Sequence, residues 1–130
     1  MSVGTSSTPL GQVLGTGSAQ HGGDHWLRER LTSAALLLLG LWLLLSLLLL
    51  PSLDRTIITE WLHSPSGAVP MALLVITAFF HAVDGLKTVV DDYVHDDGSR
   101  FLLHGILTFA GVGGGSLALF SLARIAFGAA

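Results

Sequence analysis

The stretch Leu31–Leu50, LTSAALLLLGLWLLLSLLLL, decides the fold of this chain. It carries no charged residue, and Pro51 follows it directly. As an α-helix, about 20 residues rise about 30 Å, which matches the hydrocarbon thickness of a bilayer. We therefore predict a transmembrane helix over residues 31–50.

Two further apolar blocks follow, at about residues 69–90 and 101–127. Most charged residues lie before or between the three blocks, and the mean hydropathy of the chain is +0.69. This distribution is typical of a membrane protein and argues against a water-soluble core. The sequence predicts an all-α membrane protein with three transmembrane helices.

Polar sequence surrounds the first span. Residues 1–25 are rich in Gly, Ser and Thr, which predicts a polar N-terminal leader ahead of a membrane domain at 26–130. No Lys or Arg precedes Arg28, so we do not expect a secretory signal. Between the first two spans, residues 52–68 mix apolar residues and Trp61 with polar ones, which predicts a segment lying along the membrane interface.

The basic residues predict an orientation. Two precede the first span, two flank the second loop, and two fall on the opposite side: Arg28 and Arg30, Lys87 and Arg100, Arg55 and Arg124. Positive residues are enriched on the cytoplasmic side of bacterial inner membranes. Four against two predicts a cytoplasmic N-terminus and a cytoplasmic loop between the second and third spans.

Composition excludes several functions. A net charge of -3 with six Lys and Arg provides no basic stripe, so nucleic acid is not an expected partner. The chain has no Cys, which excludes disulfides, thiolate metal sites and iron-sulfur ligation by its own residues. Histidine and the carboxylates are the remaining side chains suited to metals.

Small residues form a stripe in the third block, at Gly111, Gly113, Gly114, Gly115 and Ser116. Gly111 and Gly115 have the GxxxG spacing at which membrane helices approach closely. We interpret the stripe as a packing surface. Because so short a chain has few helices to cover it, we expect the three helices to belong to a larger bundle with a partner subunit.

His81 is the histidine placed deepest in an apolar block, about nine residues or 14 Å from its cytoplasmic end, close to mid-membrane. At about 100° per residue, Gly85, Thr88 and Asp92 share its helix face. Gly85 would let a flat macrocycle or another helix lie against the backbone. Two interpretations remain open: His81 ligates a haem iron, or it forms an inter-helix hydrogen bond.

Asp84 and Lys87 lie in the same block, three residues apart. Such residues can pair with each other on one helix face. Alternatively they relay protons, because ionisable groups within a membrane span are functional candidates. The second reading, with His81 included, predicts a small proton or ion transporter.

Two motifs resemble those of a known family. The run from His81 to Tyr93, HAVDGLKTVVDDY, resembles the H-x3-G-x6-D-Y signature of the hydrophobic membrane anchor, the D subunit, of succinate dehydrogenase, respiratory complex II. The run from His25, HWLRERLTSA, is similar to the segment with which bacterial members enter their first span. Asp84 departs from the apolar or amide residue expected there.

The resemblance implies roles for five residues. His81 matches one axial ligand of a haem b shared with the partner anchor, and Gly85 lies on the same face. Tyr93 matches the tyrosine that donates to a ubiquinone carbonyl oxygen, with Asp92 in the same site. Arg30 matches a basic residue near the haem propionates, although positive-inside anchoring explains it equally well.

The resemblance also implies an assembly. The expected partners are a second hydrophobic anchor, the C subunit, an iron-sulfur subunit and a flavoprotein, with lipid around the helices. This chain would be a non-catalytic subunit that contributes to the quinone site, with ubiquinone as the substrate. Besides the transporter, a haem-free structural anchor remains an alternative.

Overall fold

A computed structural model describes residues 22–128 of the chain. In this part the chain forms four helices: α1 (Gly22–Leu49), α2 (Arg55–His63), α3 (Pro65–Tyr93) and α4 (Asp97–Ala126). Three of them, α1, α3 and α4, are long and apolar enough to cross a membrane. The prediction of an all-α protein with three transmembrane helices is confirmed.

The helices extend beyond the apolar blocks. α1 begins at Gly22, inside the segment 1–25 predicted as a polar leader, and the rest of that segment, residues 1–21, lies outside the described residues. α3 and α4 likewise begin four residues before the apolar blocks at 69–90 and 101–127. Hydropathy locates the part of a helix that lipid covers, whereas backbone hydrogen bonding sets where the helix ends.

Side-chain caps fix the starts of α3 and α4. Ser64 Oγ accepts a hydrogen bond from the Gly67 N–H at 3.2 Å. Asp96 Oδ2 accepts one from the Ser99 N–H at 2.7 Å. Hydrogen bonds from Ser99, that of its backbone N–H first, hold the pKa of the Asp96 carboxyl below its usual value, because the ionised oxygen is the better acceptor. Each cap satisfies a backbone donor that the first helical turn leaves free.

α3 is the central helix of the fold. It packs against both α1 and α4, whereas no Cα atom of α1 lies within 8 Å of one in α4. Phe79 faces Gly114 and Val83 faces Gly111, so α3 and α4 run antiparallel. The chain is therefore an open row of three long helices, and both broad faces of the row are left uncovered by the described residues.

α2 lies where α1 and α4 end and α3 begins, on one membrane side of the three long helices. Its Trp61 ring stacks on Trp42 of α1 with ring centroids 5.5 Å apart. Leu62 is buried, and His63 Nδ1 lies 3.3 Å from the carbonyl oxygen of Ala126 at the end of α4. The segment predicted to lie along the interface thus contains a short helix anchored to all three long helices.

The small-residue stripe of α4 packs inside the chain. A Cβ at Gly111 would overlap Val83, and one at Gly114 would lie 2.7 Å from Phe79 Cε1, whereas one at Gly113 would meet nothing within 4 Å. The stripe is a packing surface, as the sequence predicted. Its neighbour is α3, however, so the stripe does not itself require a partner subunit, which corrects that part of the sequence argument.

Candidate functional site

His81 lies where α3 packs against α1. Its half-buried ring has Nδ1 2.9 Å from the Thr32 Oγ1 of α1. The other ring nitrogen, Nε2, makes no hydrogen bond within residues 22–128. One of the two sequence interpretations, the inter-helix hydrogen bond, is therefore present, and it leaves a ring nitrogen for a ligand from outside the chain.

The contact with Thr32 also sets the level of His81. Thr32 is the second residue of the apolar block 31–50, so His81 lies level with the start of that block. When depth is counted along the apolar block of α3 alone, His81 instead lies close to mid-membrane. The two helices carry their apolar blocks at different heights, and a depth derived from one helix does not hold for its neighbour.

The face of α3 next to His81 is open at Gly85. A Cβ built at Gly85 would meet no atom within 4 Å in the described part of the chain. One turn further along, the Thr88 hydroxyl donates to the Asp84 carbonyl oxygen at 3.1 Å, so it is satisfied by its own helix. The backbone at Gly85 is thus accessible to a flat group or a partner helix.

A single imidazole suits haem better than a protein-ligated metal ion. The described residues contain no group of three or more His, Cys, Asp or Glu side chains able to hold a metal. Haem iron takes its four equatorial nitrogens from the porphyrin and needs only axial ligands from protein. The chain's own residues fit that requirement with one ligand, His81, and a second would have to come from another chain.

Arg30 lies on α1, two residues before Thr32 and so about 3 Å nearer the N-terminus along the helix. Its exposed guanidinium lies 5.3 Å from the centre of the Trp26 ring, within cation–π range. A positive charge therefore lies close to the level of His81.

Asp92 and Tyr93 are the last two residues of α3. Tyr93 is 78% exposed, and its hydroxyl makes no hydrogen bond to any described residue. Asp92 is also exposed. Twelve residues separate Tyr93 from His81, about 18 Å along the helix, so the two residues lie too far apart to share one small site.

Beside this pair is a contact that the sequence analysis missed. His104 Nε2 of α4 lies 3.0 Å from Asp91 Oδ1, an ion-pair distance, although the ring orientation does not satisfy hydrogen-bond geometry. The contact joins the start of α4 to the last turn of α3. Asp91 occupies a variable position of the run from His81 to Tyr93 and His104 lies outside both motifs, so their proximity depends on how the two helices pack.

Asp84 and Lys87 lie on the side of α3 that faces α4, whereas His81 contacts α1. They line a cleft of about 380 Å³ between α3 and α4, with mostly apolar neighbours. Among the described residues no ion pair joins Asp84 and Lys87, so the pairing that their spacing allows is not formed. His81 does not line this cleft, so the three residues of the transporter alternative do not converge.

These features define a class, the helical membrane proteins with three candidate spans. The family of succinate dehydrogenase/fumarate reductase transmembrane subunits matches residues 4–115. Because this match covers most of the chain, the protein belongs to that family.

Individual relatives agree with the motif-based resemblance. The chain is 40% identical over 79 residues to a succinate dehydrogenase hydrophobic membrane anchor subunit of Rickettsia bellii, covering 61% of this chain and 63% of that protein. It is 35% identical over 80 residues to the corresponding subunit of Rickettsia conorii, covering 61% and 64%. The chain thus spans slightly less than two thirds of the length of these relatives.

Proposed function

We propose that this chain is the hydrophobic membrane anchor, the D subunit, of a succinate dehydrogenase. Family membership and the relatives' names support the assignment. The observation that carries it is the state of His81: one ring nitrogen is held by Thr32, and the other is without a hydrogen bond in residues 22–128. An imidazole held through one ring nitrogen can ligate a metal through the other.

In this proposal His81 provides one axial ligand to a haem b shared with the second anchor, the C subunit. When bound, the haem supplies a one-electron redox centre between the two anchors. Gly85 gives it room beside α3, because no described atom lies near that position. Arg30 neutralises the propionates, for which its level close to His81 is suitable.

Tyr93 and Asp92 form this chain's part of a ubiquinone site. The free, exposed hydroxyl of Tyr93 donates to a carbonyl oxygen of the quinone. Asp92 is in position to orient a basic partner or to help supply protons, of which quinone reduction consumes two together with two electrons. The chain would be a non-catalytic subunit that completes a site built mainly by its partners.

The partners are the C subunit, an iron-sulfur subunit and a flavoprotein that oxidises succinate. The complex would lie in the inner membrane with the N-terminus of this chain in the cytoplasm. The placement of the basic residues supports this orientation. One membrane side carries four of them, Arg28, Arg30, Lys87 and Arg100, and the other side carries Arg55 and Arg124.

Two matched substitutions test the haem assignment. His81→Leu in the purified complex should abolish or strongly alter the b-type reduced-minus-oxidised spectrum, because it removes an axial ligand. His104→Leu should leave one low-spin haem, since His104 contacts Asp91 and lies away from His81.

The outcomes separate the alternatives. The reverse pattern would assign the ligand to His104. A wild-type complex that contains the soluble subunits but no haem would support the haem-free structural anchor. A chain that purifies alone, without haem, and conducts protons in liposomes would support the transporter.

A further inference from the structure

The hydroxyl of Thr32 lies between the backbone of α1 and the imidazole of α3. Its Oγ1 is 2.9 Å from His81 Nδ1, 2.9 Å from the Arg28 carbonyl oxygen and 3.1 Å from the Glu29 carbonyl oxygen. In residues 22–128 this is the one hydrogen bond that joins a side chain of α1 to a side chain of α3. Thr32 therefore fixes the position of the His81 ring from a neighbouring helix.

The three contacts favour one position for the proton of the His81 ring, because the roles of Thr32 Oγ1 and His81 Nδ1 depend on the tautomer. A threonine hydroxyl has one hydrogen to donate, and a carbonyl oxygen can only accept. With that hydrogen given to the α1 backbone, Oγ1 offers a lone pair to His81, so Nδ1 carries the ring hydrogen. In the neutral imidazole the lone pair then lies on Nε2, the nitrogen with no hydrogen bond in the described part of the chain.

We propose that Thr32 is a positioning residue, which holds His81 as the Nδ1–H tautomer and orients its Nε2 lone pair toward the iron of a bound haem. This inference rests on the proposed function. Groups that accept the second N–H of a ligating histidine commonly fix its tautomer and raise its basicity. Thr32 would thus tune the redox centre from a helix that provides no ligand of its own.

Ser33 provides a matched control position for Thr32. The Ser33 hydroxyl donates to the Glu29 carbonyl oxygen at 2.7 Å, on the same turn of α1, and does not contact His81. Ser33→Ala therefore removes an α1 hydroxyl of the same kind without changing the imidazole. Thr32→Val removes the hydroxyl and keeps the branched shape, and Thr32→Ser restores the hydroxyl alone.

The experiment measures the haem midpoint potential and the low-spin electron paramagnetic resonance spectrum in complexes carrying each substitution. In Thr32→Val the imidazole becomes a weaker donor, which disfavours the ferric state by about threefold to tenfold relative to the ferrous state. At 59 mV per tenfold for a one-electron couple, the potential should rise by about 30–60 mV. Thr32→Ser and Ser33→Ala should remain close to wild type.

Failure of this inference is distinguishable from failure of the proposed function. A Thr32→Val complex with wild-type potential and spectrum, in which His81→Leu still removes the haem signal, overturns the role of Thr32 alone. A haem signal that is insensitive to His81→Leu, or absent from the wild type, overturns the haem assignment itself.

A second measurement covers the case in which Thr32→Val does not assemble. In the reduced wild-type complex, which is diamagnetic when the haem is low-spin, 15N-labelled histidine reports the exchange of the Nδ1 proton of His81 with water. A hydrogen bond to Thr32 should make this exchange slow. Exchange as fast as in an exposed imidazole would contradict the inference.

Discussion

Tyr93 ends α3 with an exposed phenol, where the central helix leaves the apolar region. A tyrosine at this position has two physical explanations, an interfacial anchor or a hydrogen-bond donor for a ligand. The sequence motif favoured the second. The hydroxyl has no partner among the described residues, which is compatible with both, so a functional test must separate them.

Tyr93→Phe removes one hydrogen bond to a largely buried quinone. We expect a loss of about 1–2 kcal/mol, roughly fivefold to thirtyfold in quinone affinity or turnover. Succinate oxidation by an artificial acceptor that takes electrons upstream of the quinone should be unchanged, and this activity serves as the control in the same preparation. Wild-type quinone kinetics would assign Tyr93 to interfacial anchoring.

Asp92→Asn keeps the size of the side chain and removes its charge. If the carboxylate delivers protons or orients a basic partner, quinone reduction should slow more than quinone binding weakens, so kcat should fall more than KM rises. The measurement is steady-state quinone reductase kinetics in the intact complex. An increase in KM with unchanged kcat would instead indicate a role in binding only.

At the scale of the element, α4 packs closely against α3 because glycines replace larger residues on the face between them. Gly111 and Gly114 let α3 approach so closely that a Cβ would overlap Val83 or Phe79. Membrane helices associate largely through such van der Waals contact, because lipid provides no hydrophobic driving force between them. The side of α4 at Gly113 is open by comparison, although the residue type is the same.

This contrast predicts opposite results for one chemical change. Gly111→Ala should lower the stability of the α3–α4 pair by about 1–3 kcal/mol, because an added methyl must displace the stiff Val83 side chain. Gly113→Ala should be neutral or slightly stabilising, since alanine is the better helix former. Unfolding of the purified chain in detergent would measure both, and equal effects would contradict the packing geometry.

At the scale of the whole molecule, the open row of helices buries little of its own apolar surface. Of the described large hydrophobic residues, Leu62 and Leu122 are the buried ones, and the faces of α1 and α4 remain exposed. Lipid can cover such faces, so exposure alone does not require a partner. The stronger reason for an assembly is the proposed roles of His81 and Tyr93, each of which needs groups from other chains.

The proposed shared sites predict which polypeptides are recovered together when the membrane is extracted gently. We expect this chain to co-purify in mild detergent with a second hydrophobic anchor, an iron-sulfur subunit and a flavoprotein, because ligands for shared sites bind the chains together. Mass analysis of the subunits measures it. Recovery of this chain as a monodisperse species without soluble subunits would count against the respiratory assignment.

The sequence determined the fold class, the three spans and the family. These properties depend on local quantities, namely the length of uncharged apolar runs and the residue spacing of a motif along one helix. For the same reason the sequence could assign four residues to one helix, and could order them along its axis: His81, Gly85, Asp92 and Tyr93. The helix starts at Gly22 and Asp97 were not predictable from hydropathy, because hydrogen bonding extends helices beyond their apolar runs.

Only the tertiary structure decided which residues meet. Thr32 lies within the motif that begins at His25, without an evident role there, and its contact with His81 joins residues 49 positions apart on different helices. The same applies to His104 with Asp91, and to Asp84, which lines the cleft against α4 whereas His81 contacts α1. Helix periodicity determines which residues share a face, whereas the neighbour of that face and its level depend on how the helices pack.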